Sequence, residues 1–119
     1  MTNDAITTAH PLSSAQERCL SALLDTVLPA SEDGAMPSAR ELDFLAYLVE
    51  QSAEFMPALA QIVDYFDDEF SDQSLADRVA LVKEYTETDT YAFNDLLFRI
   101  YDCYYQDDRV RGLIGVLPG

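Results

Sequence analysis

The sequence predicts an all-α protein, a compact bundle of about five helices that ends in a short C-terminal helical turn. Apolar residues recur at the three- and four-residue spacing of amphipathic helices, and no segment shows the alternation typical of a half-buried strand. The chain has 119 residues, of which 49% are hydrophobic, so its length and composition suit one domain with its own core. No predicted helix is long enough for a coiled coil of three or four heptads.

The first predicted helix follows a flexible polar leader at residues 1–13 and opens a single helical domain at residues 14–119. The segment Ser14–Glu17 reads Ser-Ala-Gln-Glu, which is the pattern of a capping box at a helix start. Pro29 is expected to stop this helix, because proline cannot continue it. The polar and Gly/Pro-containing segment Ala30–Pro37 then predicts a loop.

Four further helix starts are predicted from their capping residues. A second capping box, Ser38–Glu41, is expected to open the second helix. Pro57 fits the first turn of the third, where its missing N–H has no helical partner to lose. Ser74 is expected to cap the fourth helix, and either Thr88 or Asp89 the start of the fifth.

The apolar spacing also predicts which faces of the last two helices are buried. The residues expected in the core are Leu75, Val79 and Val82 of the fourth helix and Phe93, Tyr101 and Tyr104 of the fifth. A short segment around Val110 forms the terminal turn.

The charge of the chain excludes several partners. Seven Lys and Arg stand against 22 Asp and Glu, a formal net charge of −15. Phosphate contacts require clustered Lys and Arg, so direct nucleic-acid binding is excluded and an anionic membrane surface is disfavoured. No run of about 18 apolar residues occurs, so no direct membrane insertion is expected. The leader has no basic region and no twin arginine, which indicates no export signal and predicts a cytoplasmic protein as encoded.

The densest acidic segment lies between Arg40 and Arg78, where ten acids occur without a single base. The candidate ligands for a cation are Asp64, Asp67, Asp68, Glu69 and Asp72. A calcium loop of EF-hand type needs a central glycine, and this segment has none. We therefore favour a solvated face over a metal site.

No catalytic template fits the chain. His10 is the single histidine and lies in the leader, so neither a Glu-x-x-His di-iron site nor a Ser- or Cys-based nucleophile with a histidine base can be assembled. The four glycines are dispersed, which excludes a glycine-rich phosphate loop. We predict no catalytic residue, no cofactor and no metal in this chain. Cys19 and Cys103 lie in apolar surroundings that favour buried thiols, and a bridge between them is left open.

The fifth predicted helix has aromatic residues outside its main apolar stripe. Tyr91, Phe98 and Tyr105 lie off the line of the expected core residues. A helix that is apolar over most of its circumference either lies centrally in a bundle or presents a surface to a partner. Central placement is slightly favoured, and the partner surface is the alternative.

Two stretches of sequence go beyond general helix signals. The first joins Leu24–Pro29, which ends in Val-Leu-Pro, through the acidic Gly-containing loop to Met36–Leu45. The second is Tyr104–Gly115, which reads Tyr-Tyr-Gln-Asp-Asp-Arg-Val-Arg-Gly-Leu-Ile-Gly. In order and spacing, from about Ser14 to Gly115, they resemble the small-subunit family called gluconate 2-dehydrogenase subunit 3.

This resemblance implies a non-catalytic accessory or maturation subunit. Such subunits accompany a large flavin-dependent dehydrogenase of the glucose–methanol–choline class, often with a cytochrome c subunit. FAD and haem belong to those partners, which oxidise sugars, sugar acids or alcohols on the periplasmic side in typical relatives. On this basis Arg109 and Arg111 either pair with Asp107, Asp108 or a helix C-terminus, which we favour, or contact the flavoprotein.

The leading hypothesis is thus a subunit that binds a flavin-dependent dehydrogenase and performs no chemistry. Its partner-interface candidates are Tyr91, Phe98, Tyr105, Arg109 and Arg111. The alternative is a free-standing acidic helical module that binds another protein or a second copy of itself as a homodimer.

Overall fold

The computed structural model describes residues 12–113, apart from the side chain of Asp68. In that range the chain forms six α-helices and three short 3-10 turns and contains no strand. The helices are α1 (Ser14–Val27), α2 (Phe44–Gln51), α3 (Met56–Phe66), α4 (Leu75–Thr88), α5 (Thr90–Gln106) and α6 (Asp108–Leu113). The 3-10 turns span Ala39–Glu41, Ala53–Phe55 and Asp68–Asp72. The predicted all-α bundle of about five helices with a short C-terminal helical turn is confirmed.

The first helix begins one residue earlier than predicted. The hydroxyl of Ser13 accepts the N–H of Gln16 at 3.1 Å, and the amide oxygen of Gln16 accepts the N–H of Ser13 at 2.8 Å. The capping box is therefore formed by Ser13 as the N-cap and Gln16 three residues later, a position at which glutamine and glutamate both occur. Leu12 is buried in the core and Ser13 caps the first helix, so Leu12 and Ser13 of the predicted leader belong to the fold. Residues 1–11 and 114–119 lie outside the described part.

The second capping box forms as predicted but starts a different element. Ser38 and Glu41 cap the 3-10 turn Ala39–Glu41, in which Ser38 accepts the N–H of Arg40. Leu42 then adopts an extended backbone, with φ −96° and ψ 155°, and breaks the helical path. Helix α2 begins only after Asp43, whose carboxylate accepts the N–H of Ala46 at 3.0 Å.

The remaining helix ends agree with the sequence. Helix α1 ends before Pro29, Pro57 lies in the first turn of α3, and Ser74 caps α4. Of the two candidates for the start of α5, Asp89 is the cap: its carboxylate accepts the N–H of Ala92. Thr88 instead closes α4.

The core forms around α1 and α5. Helix α1 packs against α3, α4 and the turns Ala39–Glu41 and Asp68–Asp72, while α5 packs against α2, α3 and α4. A cluster of aromatic rings joins α3, the third turn, α4 and α5, with centroids 4.8–6.1 Å apart between successive rings; it consists of Phe70, Phe66, Tyr85 and Phe93. In residues 12–113, no helix combines the length and the apolar character that crossing a bilayer requires.

The buried face of α4 differs from the prediction. Leu75 and Val79 are exposed and Val82 is half-buried, whereas Arg78 and Tyr85 are buried. Tyr85 follows Arg78 by seven positions, close to two helical turns, which places both on one side of the helix. Burial of the arginine is tolerated because acceptors on α1 meet its guanidinium.

Arg78 forms the centre of a small polar network. One terminal nitrogen donates to the carbonyl of Ala22 at 2.8 Å and to the hydroxyl of Thr26 at 3.1 Å. The other lies 3.3 Å from the carboxylate of Asp25, which also accepts the hydroxyl of Ser38 at 2.7 Å. We call Asp25, Thr26, Ser38 and Arg78 the Asp25 network; it joins α1, α4 and the turn that starts at Ala39.

Substitution of Arg78 tests this network. Arg78→Met keeps most of the apolar stem but leaves the half-buried carboxylate of Asp25 without its counter-ion, so we expect the free energy of unfolding to fall by about 3 kcal/mol. Urea denaturation followed by circular dichroism measures the loss. Lys83→Met, an exposed cation on the same helix, is the control and should change stability by less than about 0.5 kcal/mol. Equal losses in the two variants would contradict a structural role for the network.

Candidate partner-binding surface

Helix α5 is buried along one side only. Phe93, Leu96, Ile100 and Tyr104 face the core. The hydroxyl of Tyr104 donates to the carbonyl of Pro37 at 2.7 Å, which joins this side of α5 to the loop before the first turn. These contacts fix which face of the helix points outward.

The opposite side of α5 presents aromatic residues to solvent. Tyr91, Phe98 and Tyr105 follow one another at seven-residue intervals, close to two helical turns, so they lie along one line of about 21 Å. Their exposed fractions are 87%, 67% and 46%. Tyr101 is exposed beside them, with its ring centroid 6.5 Å from that of Tyr105. We call Tyr91, Phe98, Tyr101 and Tyr105 the aromatic stripe.

Two expectations for α5 are therefore wrong. The helix is not enclosed by the bundle, because Tyr91, Phe98 and Tyr105 are exposed. Tyr101 was expected in the core and is exposed. A rotation of about 100° per residue places Tyr101 on the flank of the helix, away from the line of Phe93 and Ile100. Of the two interpretations from sequence, the exposed aromatic face is the one that this arrangement favours.

Polar contacts on the edge of the stripe hold α5 against α2. The hydroxyl of Tyr47 donates to the carboxylate of Asp102 at 2.6 Å, and Gln106 donates to the same carboxylate. Gln51 and Gln106 exchange amide hydrogen bonds at 2.9 and 3.0 Å. Burial raises the pKa of the Tyr47 hydroxyl, and the hydrogen bond to Asp102 raises this pKa further. The hydroxyl therefore stays protonated and remains a donor at physiological pH. The sequence offered only a weak signal for this contact, the polar pair Asp102 and Gln106 one turn apart.

A cation–π contact lies on the same edge of the stripe, because Arg99, Asp102 and Gln106 follow one another at three- and four-residue spacing. The guanidinium of Arg99 lies 4.2 Å from the centre of the Phe55 ring, and its Nε donates to the hydroxyl of Ser52. A terminal nitrogen lies 3.7 Å from the carboxylate of Glu54. Arg99 thus ties α5 to the turn Ala53–Phe55, on the same side of the helix as the contacts of Tyr47 and Gln51.

The sequence favoured pairing of Arg109 with Asp107, Asp108 or a helix C-terminus, whereas the structure pairs Arg109 with Glu41. Its terminal nitrogen lies 3.1 Å from the carboxylate of Glu41, in the first 3-10 turn. Asp107 is engaged elsewhere, because its carboxylate caps α6 by accepting the N–H of Val110. The hydrogen bond from Arg109 lowers the pKa of the Glu41 carboxyl. Both partners of this ion pair are exposed, and Arg111 is half-buried.

The acidic segment is open to solvent. Asp64, Asp67, Glu69 and Asp72 are exposed, and the side chain of Asp68 is not described. Asp64 accepts a hydrogen bond from the side-chain amide of Gln16, and the carboxylate of Asp67 accepts the N–H of Glu69. Among the described side chains, which do not include that of Asp68, no three His, Cys, Asp or Glu come together in a way that could hold a metal ion.

The two cysteines are free thiols and do not form a bridge. Cys19 is buried and donates to the carbonyl of Val63 at 3.5 Å. Cys103 is half-buried on α5, and burial raises the pKa of its thiol to about 11. Since the thiolate is the reactive form, the protonated thiol of Cys103 is a poor nucleophile at neutral pH.

Comparison with protein-family models, with curated proteins and with solved structures found no match to the chain.

The exposure of the aromatic stripe predicts a sharp difference between two phenylalanines of α5. Phe98→Ala should change the free energy of unfolding by less than about 0.5 kcal/mol, because the ring is mostly in solvent. Phe93→Ala removes a buried ring and should lower it by about 3 kcal/mol. Urea denaturation of both variants provides the comparison. A large loss on substitution of Phe98 would mean that its ring packs within the fold.

The ion pair of Arg109 can be followed through its partner. Glu41 has a lowered pKa, so the stability it contributes is present above its ordinary value of 4.5 and is lost as pH falls through the lowered value. In Arg109→Gln the pKa of Glu41 should rise toward 4.5, as measured by NMR titration of the side-chain carboxyl. Arg111→Gln removes the same charge two residues further on and should leave the pKa of Glu41 nearly unchanged. A rise of equal size in both variants would show a general charge effect instead of a pair.

Proposed function

We propose that this chain is a non-catalytic protein-binding subunit whose aromatic stripe contacts the partner. The observation that supports this most directly is the line of three exposed rings along α5, on the face opposite the core. Exposed aromatic residues in a continuous row are unusual on a protein that works alone. Tyrosine and phenylalanine rings are enriched at protein interfaces, where they bury large areas with little loss of side-chain freedom.

The setting of the stripe suits a binding surface. Helix α5 is fixed by the contacts of Tyr47 and Arg99 along one edge and by Tyr104 beneath, so its rings lie on an anchored helix. Exposed polar residues, among them Asn94 and Gln106, lie close by along the helix. An apolar centre with a polar rim is the usual composition of a protein interface.

The class of partner rests on the sequence resemblance described above. A small subunit of the gluconate 2-dehydrogenase subunit 3 type accompanies a large FAD-dependent dehydrogenase, often together with a cytochrome c. In this proposal the flavoprotein holds FAD and performs the oxidation of a sugar, sugar acid or alcohol, while this chain supports its folding or maturation. Arg109 and Arg111 lie on α6, directly after the stripe, and complete the contact in an otherwise acidic chain.

A second candidate is a free-standing acidic module that forms a homodimer. The seven-residue spacing of Tyr91, Phe98 and Tyr105 favours it, because a regular line on one helix is self-complementary with the same line on a second copy. The net charge of −15 opposes it, since two copies repel each other.

Co-expression tests the leading proposal. The chain is produced with a flavin-dependent dehydrogenase encoded beside it, and the soluble yield, bound FAD and activity of the flavoprotein are measured with and without it. We expect the chain to raise all three and to co-purify with the flavoprotein. A flavoprotein that is equally soluble, FAD-loaded and active without this chain would contradict the proposal.

A matched pair of variants tests the surface. Tyr91→Ser/Phe98→Ser should weaken association at least about tenfold, because exposed aromatic anchors dominate such contacts. Leu75→Ser/Val79→Ser removes two exposed apolar residues of α4 and should leave association unchanged. Light scattering on the isolated protein separates the second candidate: a dimer that the first pair dissociates, with no effect on any flavoprotein, would favour self-association.

A further inference from the structure

The exposed side of α5 has a seven-residue order that goes beyond its row of rings. When Tyr91, Phe98 and Tyr105 are assigned to the first position of a heptad, a, the fourth position, d, is occupied by Asn94 and Tyr101. Positions a and d form the seam through which one helix packs on another. All five side chains are exposed, and the core residues of α5 lie at other heptad positions. The fold therefore leaves this seam uncovered.

Two acids flank the seam along one edge. Asp95 lies about one helical turn from both Tyr91 and Phe98. Asp102 has the same relation to Phe98 and Tyr105. Both acids occupy heptad position e, where charged residues of paired helices determine which partner helix is accepted. Rings and carboxylates thus alternate along this edge of α5.

The charge on this edge is not neutralised by the fold. Asp95 is exposed, and Asp102 accepts hydrogen bonds from neutral groups, among them the hydroxyl of Tyr47. Within the described part of the chain neither acid forms an ion pair with a Lys or Arg. The nearby cation Arg99 has a carboxylate of its own, that of Glu54 at 3.7 Å. The edge therefore has a net negative charge.

The negative edge continues into the groove between α2 and α5, which has a volume of about 290 Å³. The described walls of this groove contain no Lys or Arg and three acids, Asp43, Glu50 and Asp107. Cys103 lines the same groove, and the pKa of its thiol is raised to about 11 by burial first and then by Asp107, Asp102 and Asp43. The field of these acids thus extends across the space between the two helices.

The area of the seam also bears on what covers it. The side chains of the aromatic stripe together expose roughly 500 Å². A protein interface of standard size takes about 800 Å² from each partner. A partner that covers the stripe therefore also covers its edges, and at Asp95 and Asp102 it meets carboxylates.

From these observations we infer that the exposed face of α5 binds an amphipathic helix of the partner protein that has Lys or Arg beside its own apolar seam. The inference rests on the proposed function, because it takes the aromatic stripe as the contact surface. Apolar side chains of the partner helix pack between the rings, and its cations lie opposite Asp95 and Asp102. Cations at this place also contact the faces of the aromatic rings, which attract them.

A second copy of the chain fits the seam less well. In an antiparallel pair of helices the e positions face each other, so Asp95 and Asp102 of one copy would meet the same acids of the other. In a parallel pair they would face position g, which is Leu97 and Tyr104, and Tyr104 is buried within the fold. Like charges that face each other oppose association, so the seam selects a partner of opposite charge.

The test uses three synthetic peptides of about 18 residues, a length that spans the stripe as a helix. The first has Leu at positions a and d and Lys at e and g, and the second has Glu in place of every Lys. The third has the composition of the first in an order that leaves no apolar face. Fluorescence anisotropy of the labelled peptides, titrated with the full chain at about 0.1 M sodium chloride, measures binding. We expect the first peptide to bind with a Kd of about 100 µM or below, and the other two at least about tenfold more weakly.

Two pairs of variants locate the binding. Phe98→Ser should weaken binding of the Lys peptide at least about fivefold, whereas Val79→Ser, at an exposed apolar residue of α4, should weaken it less than about twofold. Asp95→Lys should weaken binding of the Lys peptide and tighten that of the Glu peptide, each at least about threefold. Asp72→Lys makes the same change of net charge on the third 3-10 turn and should change both less than about 1.5-fold, because salt screens distant charges. Circular dichroism verifies that each variant is folded.

The outcomes separate this inference from the proposed function. Binding of the Glu peptide or of the reordered peptide as tight as that of the Lys peptide would overturn the inference, and so would equal effects of Asp95→Lys and Asp72→Lys. If the flavoprotein still co-purifies in that case, the proposed function stands. Conversely, a flavoprotein that is soluble, FAD-loaded and active without this chain would overturn the flavoprotein as partner, while a preference for the Lys peptide that depends on Phe98 and Asp95 would support the inference.

Discussion

The ion pair between Asp25 and Arg78 fixes the arrangement of the rest of the fold. A charge pair removed from water must be supported by further hydrogen bonds to offset desolvation. Here Ala22, Thr26 and Ser38 provide them. Because Ser38 is both the cap of the first 3-10 turn and a donor to Asp25, the pair determines where that turn lies against α1. The carbonyl of Ala22 and the guanidinium of Arg78 likewise set the approach of α4.

The same constraint reaches the candidate interface. Pro37, directly before Ser38, accepts the hydroxyl of Tyr104, so the position of the turn sets the rotation of α5 about its own axis. Rotation of α5 determines which rings face outward. The loop at Pro37 and the hydroxyl of Tyr104 thus connect the Asp25 network to the helix that presents the aromatic stripe.

Local signals predicted the helices well and their buried faces less well. Caps depend on residues three or four positions apart, so Ser38, Ser74 and the Pro57 start could be identified, and the first cap was misplaced by a single residue. From sequence alone Arg78 resembles a surface residue, because its partner Asp25 lies 53 positions earlier and the pairing forms only in the fold. Arg109 was likewise expected to pair nearby, whereas its partner Glu41 lies 68 positions away. Arg40 and Arg78 bound the base-free acidic segment of the sequence, and folding brings these two residues together with Arg18 around one cavity.

The net charge has a consequence for the colloidal behaviour of the protein. A row of exposed rings on a neutral molecule would promote association between copies, but each copy here has a formal charge of −15. At low ionic strength the repulsion between two such molecules extends well beyond the length of an aromatic side chain. Salt shortens the range of this repulsion, to about 10 Å at 0.1 M. The acidic surface thus opposes self-association through the exposed face of α5, and a binding partner of less negative charge would meet less repulsion there.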